Sequence, residues 1–247
     1  MAKKRRAAFL SMLTYQFQNL VNQDGFGDMK KKFKTFIWSN QGKGIGEWVR
    51  HLCSIFRCEY YEASFDIGQI RFDMQSLWNA FPKLNRAVIK VGPNKIDIQS
   101  FQYVSRALLP LVENVELNLH ENLSIEHIGM ANLEELKIDC PGSPNFDDLS
   151  IWNVERCIIE TERFSLRSLN RFFKLWKKGS NPKLKYLKVL GEAEEDRNVL
   201  MKGLQAEGAE KVESKWKYTI QNCYGIRASI RMHILTSLFN VKFTVLN

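Results

Sequence analysis

No stretch of this 247-residue chain is apolar for the roughly 18 to 20 residues that a membrane-spanning helix requires. The N-terminus also lacks a secretory signal. "MAKKRRAAFLSMLTYQFQNL" is basic, but Ser, Thr, Gln and Asn interrupt its apolar part. The expectation is a soluble, intracellular protein, cytoplasmic or nuclear, with no membrane partner. Metal chemistry is equally short of material. The five cysteines (Cys53, Cys58, Cys140, Cys157, Cys223) are scattered, odd in number and form no CxxC pair. The four histidines (His51, His120, His127, His233) add no ligand spacing to them. All five cysteines read as buried reduced thiols, since free cysteine is among the most buried residue types. Paired carboxylates, HExxH, GxSxG and a glycine-rich phosphate loop are absent as well. The expectation is a protein that is not an enzyme, with no catalytic residue, no cofactor and no metal.

What the chain does have is charge, unevenly placed. Of the formal net +9, residues 1–34 carry +6, from eight basic residues against Asp24 and Asp28. The other 213 residues carry only +3, so the body is close to neutral. Residues 1–40 read as a basic, poorly defined arm, and residues 41–247 as the folded domain. Lys3, Lys4, Arg5 and Arg6 lead the arm, which is a nucleic-acid contact, a nuclear-import signal or a solvated tail.

Beyond the arm, "GEWVRHLCSIFRC" sets Trp48, Val49, Leu52 and Phe56 on one helical stripe. A strand-like "YEASF" follows, then a short helix, "DMQSLWNAF", with Asp73 as N-cap. A pattern then recurs: "LNRAVI" from Leu84, "VENVEL" from Val112, "LEELKI" from Leu133, "VERCII" from Val154 and "LKYLKV" from Leu184. Each copy is apolar-x-x-apolar-x-apolar, at intervals of 28, 21, 21 and 30 residues. A single copy cannot bury its inward face, but stacked copies can. The expected fold is therefore α/β: a degenerate leucine-rich-repeat-like stack of strand–helix or strand–loop units with a largely parallel sheet. The long intervals carry helices, marked by Phe101, Val104 and Leu108, and by Leu166, Leu169, Phe172, Phe173 and Trp176. The short ones, "NLSIEHIG" and "PGSPNFDD", suit loops or single turns. From residue 215 three alternating runs predict an antiparallel meander that closes the domain: Trp216 to Ile220, Ile226 to Met232 and Phe239 to Val245.

"KKGS" at residues 177–180 looks like part of a phosphate loop, but its polarity is wrong. Ser165 caps a helix, Lys177 and Lys178 fill its last turn, Gly179 takes the left-handed position after it, and Pro182 prevents resumption. A phosphate site needs glycine opening a helix, where N–H groups face the anion. Here the glycine closes one.

"SLRSLNRFFKLWKKGSNPKLKYLKV" and, about 25 residues later, "WKYTIQNCYGIRASI" carry a resemblance. They resemble the nematode F-box-associated family, in its type 2 associated domain, most closely over residues 154–247. The resemblance implies a non-catalytic interaction module that selects the protein to be ubiquitinated, next to an F-box that docks on the adaptor of a cullin-type ligase. Residues 1–40 show no "LPxxxLxxIL" pattern, so the F-box is expected to be absent or truncated.

Outward strand positions line up in two rows: Arg86, Asn114, Glu135, Arg156, Tyr186, and Val88, Glu116, Lys137, Ile158, Lys188. With strands about 4.8 Å apart, Glu135 neighbours Arg156 and Glu116 neighbours Lys137. Either the rows are a solvated charge ladder or they are a recognition face. The candidate partner-binding residues are Arg86, Glu135, Arg156, Ile158, Tyr186 and Lys188. Ile158 and Tyr186 are the anchors, being apolar or aromatic among charges. The alternative function is nucleic-acid binding through the basic arm.

Overall fold

A computed structural model describes residues 62–67, 84–92, 98–119, 125–142, 148–193, 197–212, 215–235 and 237–246. The basic arm, its boundary at residue 40, the helix expected over 46–58 and the one expected from Asp73 lie outside the described residues.

The chain is mixed α/β, mostly strand, with ten described strands in one sheet. β1 (Glu62–Ile67), β2 (Arg86–Val91), β3 (Asn114–Asn118), β4 (Leu133–Cys140), β5 (Val154–Arg163) and β6 (Tyr186–Glu192) are parallel and adjacent in chain order. Helices α1 (Ile98–Leu108) and α3 (Leu166–Lys177) fill the long crossovers. The single-turn α2 (Glu126–Gly129) and a 3₁₀ turn (Asp148–Ile151) fill the short ones. After α4 (Arg197–Met201) come β7 (Glu207–Val212), β8 (Lys215–Gln221), β9 (Arg227–Leu235) and β10 (Leu238–Val245), all antiparallel. The last strand does not go to the outer edge. β10 pairs with β6, so the sheet order is β1-β2-β3-β4-β5-β6-β10-β9-β8-β7.

Period-2 alternation explains the core. Ala87, Val115, Leu136, Cys157 and Leu187 share one row across the parallel strands. Ile89, Leu117, Ile138, Ile159 and Val189 share the next. All are at most 3 % exposed, and the leading residue of each copy, Leu84 to Leu184, is buried too. β10 and β9 extend both rows with Phe243 and Ile230, and with Val241 and Met232.

α3 covers this face where the parallel and antiparallel halves meet. Its stripe of Leu166, Leu169, Phe172, Phe173 and Trp176 is buried. Phe173 stacks on Phe243 at 5.5 Å, and Trp176 meets the same ring edge-on at 4.9 Å. The helix begins where the Ser165 hydroxyl accepts from the Ser168 amide (3.2 Å). It ends with Gly179 at φ +98°, the Gly179 amide donating to the Trp176 carbonyl (2.9 Å) and Ser180 to Leu175 (3.1 Å). That paired closure is the left-handed cap the sequence requires. A side chain at Gly179 would also press on the Tyr224 ring. The β8–β9 turn, to which Tyr224 belongs, docks here, with the Cys223 amide donating to the Lys177 carbonyl (2.8 Å).

Three sequence readings need correction. Cys140 and Cys157 are buried, but Cys223 is exposed because it lies in that turn rather than in a strand. Ile226 is 41 % exposed, since it precedes β9 and has no inward position to fill. The antiparallel part has four strands instead of three: "EGAEKV" forms β7 with no apolar alternation to announce it.

Candidate functional site

The face opposite α3 carries no described helix, and its side chains are the outward set of every strand. Arg86, Asn114, Glu135, Arg156 and Tyr186 stand in register, and so do Val88, Glu116, Lys137, Ile158 and Lys188. The structure thus brings all six candidate residues onto one surface over β2 to β6. Their exposure differs. Arg156 is exposed; Arg86, Glu135, Ile158, Tyr186 and Lys188 are half-buried; Val88 is covered by its neighbours.

Charges on this surface are largely paired. Glu135 accepts from Arg156 at 2.7 Å, and the Arg156 guanidinium lies over the Tyr186 ring, 4.1 Å from its centroid. Tyr186 is therefore presented with one ring face occupied by a cation, an arrangement that holds its orientation. Glu160 takes Lys188 at 3.4 Å. Glu116 is the hub, bridging Arg86 and, at 3.3 Å, Lys137, while Arg86 also reaches Glu62 at 3.9 Å.

Burial works to raise the Glu116 pKa, but Arg86 and Lys137 on either side outweigh it and hold the carboxyl below its usual 4.5. Because the folded value is the lower one, this group contributes stability above pH 4.5 that disappears as pH falls through the lowered value. Urea midpoints followed across that acid window should decline less steeply for Glu116→Gln than for the unaltered chain. Parallel declines would show that the hub carries no linkage. Glu155, held low by Lys185 at 2.6 Å, titrates in the same window in both proteins and so cancels from the comparison.

Among the described residues, the two buried thiols are not arranged for bond-making. Burial pushes the Cys157 thiol, and less strongly the Cys140 thiol, up and away from the reactive thiolate. A cavity between Trp152, Cys157, Phe172 and Leu187 holds only about 10 Å³, room for one water at most. Among the described residues no group of three or more His, Cys, Asp or Glu is placed to hold a metal, and no helix is long and apolar enough to cross a membrane. The surface is suited to contact.

Sequence reasoning ended this surface at β6, whereas the sheet carries it on through β10, β9 and β8. Comparison with known proteins adds one finding. A family model described as "F-box associated" matches residues 124–189, which run from just before α2 to the middle of β6. No curated protein matches the chain.

Proposed function

We propose that this chain is a non-catalytic protein-interaction module whose open sheet face selects a polypeptide for ubiquitination, as the recognition part of a cullin-type ligase. The F-box-associated match carries this reading, because residues 124–189 contain the β4, β5 and β6 columns of that face. Domains of this type are interaction modules. In this proposal the parallel part is a leucine-rich-repeat-like stack, a reading supported by its sequential strand order and by described returns that are each a helix or a single turn. The partner is gripped by Arg86, Glu135, Arg156, Ile158, Tyr186 and Lys188. Ile158 and the cation-backed ring of Tyr186 supply the apolar anchors, and the paired charges around them set register. The compartment is the cytoplasm or nucleus, where such ligases work.

The test is affinity capture with the full-length chain beside Ile158→Ser and Tyr186→Ala variants. A partner captured by the unaltered chain should be lost or weakened about tenfold by either change, as for a central anchor worth roughly 1.4 kcal/mol or more. Co-purification of the F-box-docking adaptor with all three chains alike would couple the module to a ligase. A partner retained equally by both variants removes this face from recognition, and absence of the adaptor removes the ligase.

A further inference from the structure

On β6, β10, β9 and β8 the open face changes character. Lys188 lies in register with Lys242, Lys242 with Arg231, and Arg231 with Lys217. Four cations from four different strands thus make one continuous row, about 14 Å long at the usual strand spacing of about 4.8 Å. Lys215 and Arg227 flank the row on the same face. The only carboxylate these strands place there is Glu192, at the far end of β6, where it accepts a hydrogen bond from Ser237 at 3.0 Å. Lys188 pairs with Glu160, but Lys242 and Arg231, at the centre, form no ion pair with a described residue and are exposed.

Like charges directly opposite one another on neighbouring strands destabilise a sheet. In the parallel half Glu116 faces Lys137 and Glu135 faces Arg156, although Asp139 and Glu160 also stand opposite one another. From β6 through β10 to β9, Lys188, Lys242 and Arg231 follow one another with no carboxylate set between them. The adjacent row supplies a second observation. Tyr186, Thr244, Ser229 and Thr219 are in register, so a line of four hydroxyls runs beside the line of four cations. Ser229 is 2 % exposed, and its Oγ has no hydrogen-bond partner. A buried hydroxyl left unsatisfied is costly and rare. Cations that supply charge, next to the accessible hydroxyls of Thr244 and Thr219 that donate directional hydrogen bonds, match carboxylate oxygens.

We infer that this strip binds an acidic segment of a partner polypeptide. The inference rests on the reading of the open face as a recognition surface and names the chemistry of what it recognises. The strip is bounded, and that favours a short acidic segment over a nucleic acid. At the β6 side it meets Glu160, in register with Asp139. A continuous polyanion running past β6 would be repelled by these carboxylates, whereas a short cluster of acidic side chains stops before them. Stacking platforms for bases are missing too. Trp216 and Tyr218 alternate with Lys217 and so lie on the other face, while Tyr186 already carries Arg156.

The test uses the full chain and a fluorescein-labelled poly-glutamate peptide, read by anisotropy at low and moderate salt. The unaltered chain should bind the peptide, with affinity falling as salt rises. Combining Lys242→Gln with Arg231→Gln should weaken binding about tenfold or more, as expected for two charge-assisted contacts. The same charge loss at Lys178→Gln with Lys202→Gln, exposed positions outside the strip, should leave binding within about twofold. Thermal unfolding guards against a trivial loss. Relieving the like-charge row should raise the melting temperature of the Lys242 and Arg231 variant, so weaker binding could not be blamed on unfolding. Equal weakening in the two double variants would reduce the effect to net charge and overturn the proposal. So would a single-stranded oligonucleotide that binds more tightly than the peptide with the same dependence on Lys242 and Arg231. If the anchor-dependent partner is still captured while the peptide does not bind, the recognition face stands and the acidic ligand falls.

Discussion

Phe243→Ala is expected to destabilise the chain by about 3 to 5 kcal/mol, the range for removing a buried phenyl ring from a packed core. The expected loss is at the upper end for a structural reason. Phe243 is fully buried and touches two rings of α3: Phe173 stacked at 5.5 Å and Trp176 edge-on at 4.9 Å. Its backbone belongs to β10, whose register with Leu187 on one side and Ile230 on the other joins the two halves of the sheet. The cavity left by alanine would lie under that seam, where α3 cannot collapse inward without leaving its own cap and its contacts with the β8–β9 turn. Equilibrium urea unfolding of the full chain gives the number. Phe243→Leu, which keeps most of the volume, should lose roughly 1 to 1.5 kcal/mol. A loss below about 1 kcal/mol for the alanine variant would mean that the seam is not held by this cluster.

Gly191→Ala should be the more damaging of two glycine substitutions that look alike on paper. A β-carbon at Gly191 would overlap the Thr161 carbonyl oxygen and crowd the Thr161 methyl (3.0 Å) and the Phe164 ring (3.2 Å). The first of these is backbone, at the irregular stretch of β5 between Glu160 and Arg163, and backbone cannot rotate aside as a side chain can. Overpacking of this kind costs about 1 to 3 kcal/mol, and the upper half of that range is expected here. At Gly92, just past β2, no atom lies within 4 Å of an added β-carbon. Alanine there should be neutral, or stabilising by up to about 1 kcal/mol through loss of unfolded-state freedom. Equal urea midpoints for the two variants would show that the β5–β6 approach is looser than this geometry requires.

What the sequence disclosed follows from how local each signal is. Ser165 and Gly179 are read correctly because a cap is decided within one turn of chain. Leu136, Ile138 and Val189 are read correctly because alternation makes each strand declare its inner face without knowing its neighbour. The Glu135–Arg156 and Glu116–Lys137 pairs followed because equal 21-residue intervals fix register between successive parallel strands. The place of β10 was not legible. Residues near 190 and near 240 pair across α4 and three intervening strands, and nothing within either segment says which edge it will choose. The four-cation row was missed for the same reason: Lys188, Lys242, Arg231 and Lys217 are unremarkable until the strand order is known. β7 was missed because "EGAEKV" has no alternating apolar residues to produce a period.

The position of β10 has a consequence for how the chain is made. β7, β8 and β9 leave the ribosome before residues 238–245, the strand that attaches them to β6. Until then the parallel part ends in an unpaired β6, and Ile230 and Met232 have no finished layer to enter. A nascent chain paused just short of Leu238 would display two open strand edges at once, the surfaces on which chains aggregate and to which chaperones are drawn. Synonymous codons that slow translation in the β9–β10 hairpin would therefore lower the soluble yield of a protein whose sequence is unchanged.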